Sequence, residues 1–574
     1  MYVLGVHVGH DSGAAIVHDG EILAASNEER FVGIKHFANI PFNAISFCLK
    51  KAEIRMSDVD VLAVPTVSDI SSLFAFFNLR DDQLTLIRPQ GEIEYGVSDY
   101  RSTLLREAQR LVRRNLPPDY FPRFPLSSKA KVMQIDHHLA HAASAFYTSG
   151  FGKRCLVFTV DGIGNDVSTA VWICEDDILK PLMRVGSKGS LGWFYGLVTE
   201  ALGWWIGDGE GKTMALAPYG NSNTAKVSLE SIVPKYEGCK LMKPHDFGFI
   251  SYWTLHDTYH WHLNESSSLK EKIQLYGAQD LAAASQVLLE EQMLEIVESW
   301  CTETGLHSIC CAGGVFLNVK MNQRIREIDS IKEMHIFPNA GDGGLAVGAA
   351  LYASHLEGEK LSTMQIDNVF WGPEFSNDYI KSVLDLRQLD YEFCDDISGA
   401  CGELLAHGDK AIGWVQGREE NGPRALGNRS IFISPLNEKN KEIVNKKIKH
   451  RENWRPFAPS ILWEHAPKYV DKVVEAPFMI ISFNAKIEKR DEIPAVVHID
   501  GTTRPQTVRR ETNEKLWELL RSFEKETATP LILNTSFNLS GKPIIGTIED
   551  AIMTFYNSGL DYLALGNYLL KKKA

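Results

Sequence analysis

The chain of 574 residues carries 60 Lys and Arg against 73 Asp and Glu, a formal charge of −13. That balance excludes a protein that coats nucleic acid through non-specific phosphate contacts. With 44% hydrophobic and 23% charged residues it is a folded globular protein, neither disordered nor collagen-like. The length fits two large domains. Nine scattered cysteines without a C-x-x-C pair speak against a disulfide framework and for a reducing cytoplasm. The N-terminus lacks the basic flank and cleavage site of a signal peptide. No apolar run approaches the roughly 20 residues of a membrane span, so a cytoplasmic protein without membrane contact is expected.

In chain order, Val3 to Val8 reads as a buried strand, and Ala14–Val17 and Ile22–Ala25 read as a hairpin closed at His18-Asp19-Gly20. Phe42 to Ala52 has helical spacing, and Val59 to Val64 is another strand. This opening is by analogy that of the actin, sugar-kinase and Hsp70 fold. Residues 66 to 126 show no readable pattern. Asp136 to Tyr147 is an Ala-rich helix and Cys155 to Val160 a strand ending at Asp161. Trp193 and the pair Trp204-Trp205 are expected to line core or pocket. Leu281 to Glu303 is a long amphipathic helix. Ser308 to Ala312 is a strand running into Gly313-Gly314, and Ile336-Phe337-Pro338 leads through Gly341-Asp342-Gly343-Gly344 into a helix ending near Ser354. A polar stretch around 355–370 marks a linker, which divides the chain into domains 1–355 and 356–574. Beyond it a helix over Tyr379–Leu386 and strands at Ala411–Val415 and Leu531–Leu533 are expected. No internal sequence repeat is visible.

His137 and His141 lie four apart, so one helix face carries both imidazoles, while His138 is turned away by about 100°. With Asp161 at a strand end and Asp342 in a glycine-rich turn they form an N/O donor set suited to Fe(II), Mn(II) or Zn(II). The plain alternative is that these histidines cap or pack a core. His10 beside Asp11 is a candidate general base or a turn residue. Gly209-Glu210-Gly211-Lys212-Thr213 fails as a P-loop because position 206 is Ile. Between Arg418 and Arg455 ten Lys or Arg face five Glu, a local excess that suggests an anionic ligand. Arg424 in its Gly/Pro frame suits bidentate binding of phosphate, whereas Lys439 to Lys447 reads equally as surface charge. Asn534 and Ser536 follow a strand and can donate to phosphate or carbamoyl oxygens.

Together, His10-Asp11-Ser12, Glu28-Glu29-Arg30-Phe31 with Lys35-His36, His137 to His141, Gly209 to Met214, Gly313-Gly314-Val315, Gly341-Asp342-Gly343, Gly422 to Ser430, Trp454 to Ala458 and Asn534 to Asn538 resemble, in order, the O-carbamoyltransferases of the nodulation-factor, cephalosporin and tobramycin type. The resemblance implies an α/β protein with an actin/Hsp70/sugar-kinase-like (ASKHA) N-terminal domain and a YrdC-like C-terminal domain. The latter takes carbamoyl phosphate and ATP, with Mg, releases phosphate and pyrophosphate, and forms carbamoyl-AMP. Arg424, Lys449, Arg455, Arg504, Asn534 and Ser536 would bind these anions. The N-terminal domain holds Fe(II), or another divalent metal, on His137, His141, Asp161 and Asp342. Gly211, Gly314 and Asn318 line the adenylate, Lys35 contacts its charged groups and His10 is the base. The intermediate travels by a closed interior path, protected from water. The acceptor is a small hydroxylated natural product, and no nucleic acid is expected. Ser26-Asn27 stands where relatives often carry another acid, and the loop around Val8-Gly9 is short, so no relative's acceptor is carried over. Threonylcarbamoyl transfer to tRNA adenosine and a non-catalytic actin-like ATP-binding protein are the alternatives.

Overall fold

The computed structural model describes residues 1–65, 76–77, 79, 83–94, 124–151, 154–248, 250–361 and 364–572. Most of the unreadable stretch 66–126 lies outside them. The chain divides into two compact units. The first comprises Met1–Glu29, His36–Thr213 and Gly220–Ile366, and the second Arg30–Lys35, Met214–Tyr219 and Asp367–Ala574. All nine cysteines are free. Among the described residues no helix is long and apolar enough to cross a membrane.

The first unit is built on two main sheets. One contains β1 (Tyr2–His7), β2 (Gly13–His18), β3 (Glu21–Asn27), β4 (Val61–Pro65), β5 (Leu84–Ile87) and β6 (Lys131–Ile135) in the order β3-β2-β1-β4-β6-β5. β1 to β3 form an antiparallel meander, and β4, β6 and β5 add in parallel. The β2–β3 hairpin closes at Asp19-Gly20, both at positive φ (49° and 81°), the conformation that lets a two-residue turn follow the twist of its strands.

The other sheet joins β7 (Cys155–Gly164), β8 (Val167–Glu175) and β9 (Ile178–Val185) to later strands. Two small hairpins intervene, β10 (Lys235–Glu237) with β11 (Lys240–Lys243) and β12 (Ile250–Leu255) with β13 (Thr258–Leu263). β14 (Ser308–Ala312) and β15 (Glu333–Ile336) then complete the order β15-β14-β7-β8-β9. Again an antiparallel meander is extended by parallel strands. The chain therefore contains a repeat of topology where its residues show none. This duplicated order is that of the actin/Hsp70/sugar-kinase fold.

Two helices position the ligands described below. His137–Phe146 is buried on every side, as its Ala-rich composition allows. Leu345–Leu356 packs so closely on it that a Cβ built at Gly348 would stand 1.9 Å from the Ala140 carbonyl oxygen. A third helix, Phe42–Lys51, has no side-chain cap of its own. The buried Glu28 carboxylate substitutes, accepting from Asn43 N (3.0 Å), Asn43 Nδ2 (2.6 Å) and Ala44 N (2.8 Å). Glu28→Ala orphans these donors and is expected to cost about 2 kcal/mol, read as a lowered urea midpoint. An unchanged midpoint refutes this role.

Trp193 is buried as expected, but Trp205 is 54% exposed, against the expectation of core or pocket. It follows the end of helix Leu191–Ala201 on a turn through Gly203 (φ 91°), which carries it outward onto the β12–β13 hairpin.

The second unit is α/β, with an eight-stranded mixed sheet. At its centre Ile412–Val415, Arg429–Ile433, Leu531–Ser536 and Ala458–Leu462 lie side by side in antiparallel pairs. Helices Ile397–Ala406 and Glu514–Thr527 bury Leu405, Leu516, Leu520 and Phe523 against Trp414, Phe432 and Ile532.

Candidate functional site

In the first unit one imidazole nitrogen from each of His137 and His141 and one carboxylate oxygen from each of Asp161 and Asp342 lie within 4.8 Å of one another. The histidines come from the start of one helix, where Asp136 caps Leu139 N (3.1 Å) and the Asn165 side chain accepts from His137 N (2.8 Å). Asp161 comes from β7 and Asp342 from the short turn Asp342–Gly344. His141 Nε2 lies 3.1 Å from Asp161 Oδ2 and 3.6 Å from Asp342 Oδ1, and His137 Nε2 3.6 and 3.7 Å from the same atoms. Asp161 Oδ1 accepts instead from Gly162 N at 2.7 Å, which aims Oδ2 at the imidazoles.

Burial opposes charge on both partners, yet the hydrogen bonds across the group prevail. They hold the Asp161 carboxyl well below the usual carboxylate range and push His141 up to about 9. His137 Nε2 is buried without a hydrogen-bond partner. An orphaned imidazole nitrogen facing two carboxylates at these separations fits a divalent cation, for which bonds of about 2.1 Å put tetrahedral ligand atoms about 3.4 Å apart. Gly164 keeps His137 in place, since a Cβ there would fall 2.1 Å from the ring. His138 turns away, held by Thr159 Oγ1 and Val167 O, both at 2.9 Å.

His7 adjoins this group and was not singled out in the sequence. Its Nε2 lies 4.0 Å from Asp342 Oδ2 and 2.9 Å from the His10 carbonyl, and burial lowers its pKa to about 4. The available signal was a lone histidine inside the apolar run Val3 to Val8.

A second polar group forms around Asp11. Its carboxylate takes His10 Nδ1 at 2.8 Å and His36 Nδ1 at 2.7 Å, while His36 Nε2 lies 3.2 Å from Asp208 Oδ1. The two imidazoles stack 4.8 Å apart. His10 Nε2 faces Gly207, where an added Cβ would stand 3.3 Å away.

The remaining candidates are dispersed. Gly314 adjoins the first group, with room for a Cβ only 3.1 Å from Asp161 Oδ1, and Gly211 is an open position with nothing within 4 Å of one. Asn318 caps Met321 N (3.1 Å) and exchanges hydrogen bonds with Gln286 (2.9 and 3.0 Å). Lys35 belongs to the segment Arg30–Lys35 of the second unit.

In the second unit Arg424, Lys449, Arg455 and Arg504 gather with Arg451. Burial lowers Arg424 to about 10 and Arg451 to about 9, each helped by Arg455. Lys449 and Arg504 are pushed well below their usual values by burial and by neighbouring guanidinium groups. Arg455 acts on Arg424, Arg451 and Arg455 act on Lys449, and Arg424, Arg451 and Arg455 act on Arg504. Lys449 ends a π-helical stretch, Ile443–Lys449, a form concentrated at functional sites. It donates to Ser536 Oγ (3.1 Å) and Asn538 Oδ1 (2.5 Å). Arg451 is held by Asn445 Oδ1 (2.7 Å) and lies over the Phe457 ring. Arg429, from the same motif as Arg424, is instead spent on the carbonyls of Gln416, Asn428 and Pro373. Lys439, Lys446 and Lys447 are exposed, which settles them as surface charge.

Asn534 departs from the donor role expected of it. Its Nδ2 is committed to Ser460 Oγ (2.9 Å), Ala425 O (3.2 Å) and Gln506 Oε1 (3.2 Å), leaving Oδ1 buried and without a partner. Two carbonyl acceptors fix the amide in this orientation, so the atom it offers is an acceptor.

The duplicated sheets place the first unit in the actin/Hsp70/sugar-kinase class, and comparison with known proteins narrows this. The family model for the carbamoyltransferase N-terminus matches residues 2–351, and that for the carbamoyltransferase C-terminus matches 403–572. Nodulation protein NolNO of Sinorhizobium fredii is 34% identical over 581 residues, covering 98% of this chain and 79% of the relative. Nodulation protein NolO of Bradyrhizobium diazoefficiens is 35% identical over 457 residues, covering 76% of this chain and 79% of the relative. The solved structure of HypF from T. kodakarensis aligns at a TM-score of 0.34 and 12% identity, over 63% of this chain and 49% of its own. The chain belongs to the carbamoyltransferase family and is an enzyme that transfers carbamoyl groups. The expectation of a non-catalytic ATP-binding protein is thereby withdrawn.

Proposed function

We propose that this enzyme is an ATP-dependent O-carbamoyltransferase that activates carbamoyl phosphate in the second unit and carbamoylates a hydroxyl of a small natural product in the first. The observation that carries this reading is the cation group, in which Lys449 is buried, Arg424, Arg451 and Arg504 are half-buried, and neighbouring guanidinium groups push the pKa of each down. Cations buried together need anions between them, and carbamoyl phosphate and Mg·ATP are two that must meet for adenylation. Water cleaves carbamoyl phosphate to phosphate and carbamate. A carbamate oxygen then bonds the α-phosphorus of ATP, pyrophosphate leaves, and carbamoyl-AMP remains. Arg424, Lys449, Arg455 and Arg504 hold the phosphates in a YrdC-like arrangement, with Ser536 beside Lys449. Asn534 Oδ1 accepts from the carbamoyl NH2. The test is carbamoyl-phosphate-dependent exchange of pyrophosphate into ATP, and its absence removes the reading.

In the first unit a divalent metal, Fe(II) by family resemblance, held by His137, His141, Asp161 and Asp342, supplies a Lewis acid for the carbamoyl carbonyl. Gly314, Gly211 and Asn318 line the adenylate. Asp11 binds His10 Nδ1 and so leaves the Nε2 lone pair as the base. The acceptor oxygen bonds the carbamoyl carbon, its proton passes to His10 Nε2, and the bond from that carbon to the adenylate oxygen breaks to release AMP.

Burial works to lower the His10 pKa, but Asp11 prevails and raises it above 6.5. A base must be neutral, so kcat/KM for transfer should fall as pH drops through a midpoint above 6.5. Asp11→Asn keeps the size and removes the charge, and should move that midpoint down. A limb that Asp11→Asn leaves in place excludes His10 as the base.

A further inference from the structure

We propose that Arg30 is a positioning residue for the adenylation step, clamping the loop 422–429 so that Arg424 is held in the anion site. The inference rests on the proposed activation of carbamoyl phosphate. It assigns part of that step to a residue from the opening of the chain, in the Glu28-Glu29-Arg30-Phe31 run.

Arg30 is brought to this place by an excursion of the backbone. Residues Arg30–Lys35 belong to the second unit, although Glu29 and His36 on either side of them belong to the first. The Glu29 carboxylate accepts from His36 N at 3.0 Å and so closes the base of the excursion. At its start Gly546 packs on the Arg30 carbonyl oxygen, where an added Cβ would stand 1.8 Å away. With the base tied and the first residue seated on backbone, little is left to order except the arginine side chain itself.

The guanidinium meets two acceptors. Its Nε lies 3.2 Å from Glu419 Oε1, with both side chains 2% exposed, and its Nη2 donates to the Gly422 carbonyl at 2.5 Å. Gly422 stands two positions before Arg424. Glu420 fills the inside of the loop. It is fully buried, and its Oε1 accepts from Leu426 N (2.7 Å) and Arg429 N (3.2 Å). The carbonyls that follow Arg424 are taken by side chains as well, Ala425 O by Asn534 Nδ2 (3.2 Å), Leu426 O by Gln506 Nε2 (2.7 Å) and Gly427 O by Trp414 Nε1 (2.9 Å). Arg424 is therefore bracketed, with Arg30 as the donor on its N-terminal side.

The electrostatics explain why a clamp is needed there. Arg424 is repelled by Arg455, and it in turn acts on Arg504. Without an anion this repulsion drives Arg424 out of the group, and a fixed carbonyl two residues before it limits the retreat. The loop is then ordered before carbamoyl phosphate arrives, so binding does not carry the cost of ordering it. Arginine suits the task, because its planar fork reaches a carboxylate and a carbonyl together and keeps its charge when buried. The ammonium of a lysine is a single point and does not span both.

The test uses the full chain and two variants. Arg30→Met removes both bonds but leaves Glu419 buried without this cation. Arg30→Met/Glu419→Gln removes that charge too, and decides the matter should the single variant fail to fold. In pyrophosphate exchange the half-saturating concentration of carbamoyl phosphate should rise about tenfold or more in each folded variant, with a smaller fall in the maximal rate. Without any substrate, trypsin should cut between Arg424 and Ala425 about tenfold faster than in the wild type, while the other cuts in the same sample keep their rates. The proposal is overturned if the folded double variant keeps either the wild-type half-saturation or the wild-type rate of cutting at that bond, or if cutting accelerates equally along the whole chain. Absence of exchange from the wild type sinks adenylation, while the tryptic cut, which needs no nucleotide, still decides the clamp.

Discussion

His141→Ala should stop carbamoyl transfer, by about a thousandfold or more, while carbamoyl-phosphate-dependent pyrophosphate exchange proceeds unchanged. His141 is fully buried, and its Nε2 is the ring nitrogen nearest Asp161, at 3.1 Å. Removing it leaves three of the four ligand atoms and opens one coordination position, so the ion is held less tightly and in a less defined geometry. Because Asp161 loses a charged partner in a buried place, some loss of stability accompanies the change. His141→Gln restores most of the volume and an amide donor for Asp161, and so separates misfolding from loss of the ligand. Metal content by elemental analysis, exchange and transfer are measured on each folded variant. Retained metal, or equal loss of exchange and transfer in the folded His141→Gln protein, contradicts separate chemistry in the two units.

Arg504→Ala should abolish pyrophosphate exchange without making the ligand-free protein less stable. Its half-buried guanidinium sits among Arg424, Arg451 and Arg455, and burial and all three push its pKa down. Deleting it relieves that repulsion, so binding machinery and fold stability pull in opposite directions here. With ligands the order reverses. Carbamoyl phosphate and Mg·ATP, each at a hundred times its Kd, stabilise the wild type by about 2.7 kcal/mol apiece, and the variant forgoes most of this. Thermal unfolding with and without the two anions reads both effects. A variant that melts well below wild type without ligands, yet still exchanges pyrophosphate, refutes the anion chamber.

The metal-type group was legible because its spacing is periodic. Two histidines four apart must share a helix face, and aspartates framed by glycines at strand ends point to a sheet edge. His7 escaped notice because a strand interior gives no sign of which neighbours its end will meet. Arg424 stood out by its Gly/Pro frame, but nothing in the chain order foretold that Arg429, five residues on, would be consumed by backbone carbonyls. The role of Asn534 inverted for a similar reason, since its amide nitrogen is claimed by Ala425, Ser460 and Gln506, all distant in sequence. Strands and helices with strong period were readable along the chain. The duplication of the two sheets was not, because it lies in strand order and leaves no trace in residue identity.

The contact between Gly348 and the Ala140 carbonyl has a wider consequence. Asp342 leads into one of these abutting helices, while His137 and His141 sit on the other. At this point backbone presses on backbone, and Gly348 has no room for a larger residue. Drift in the surrounding core therefore has little leverage on the spacing of the ligands. Substitutions elsewhere in the first unit therefore accumulate while the reacting centre keeps its geometry.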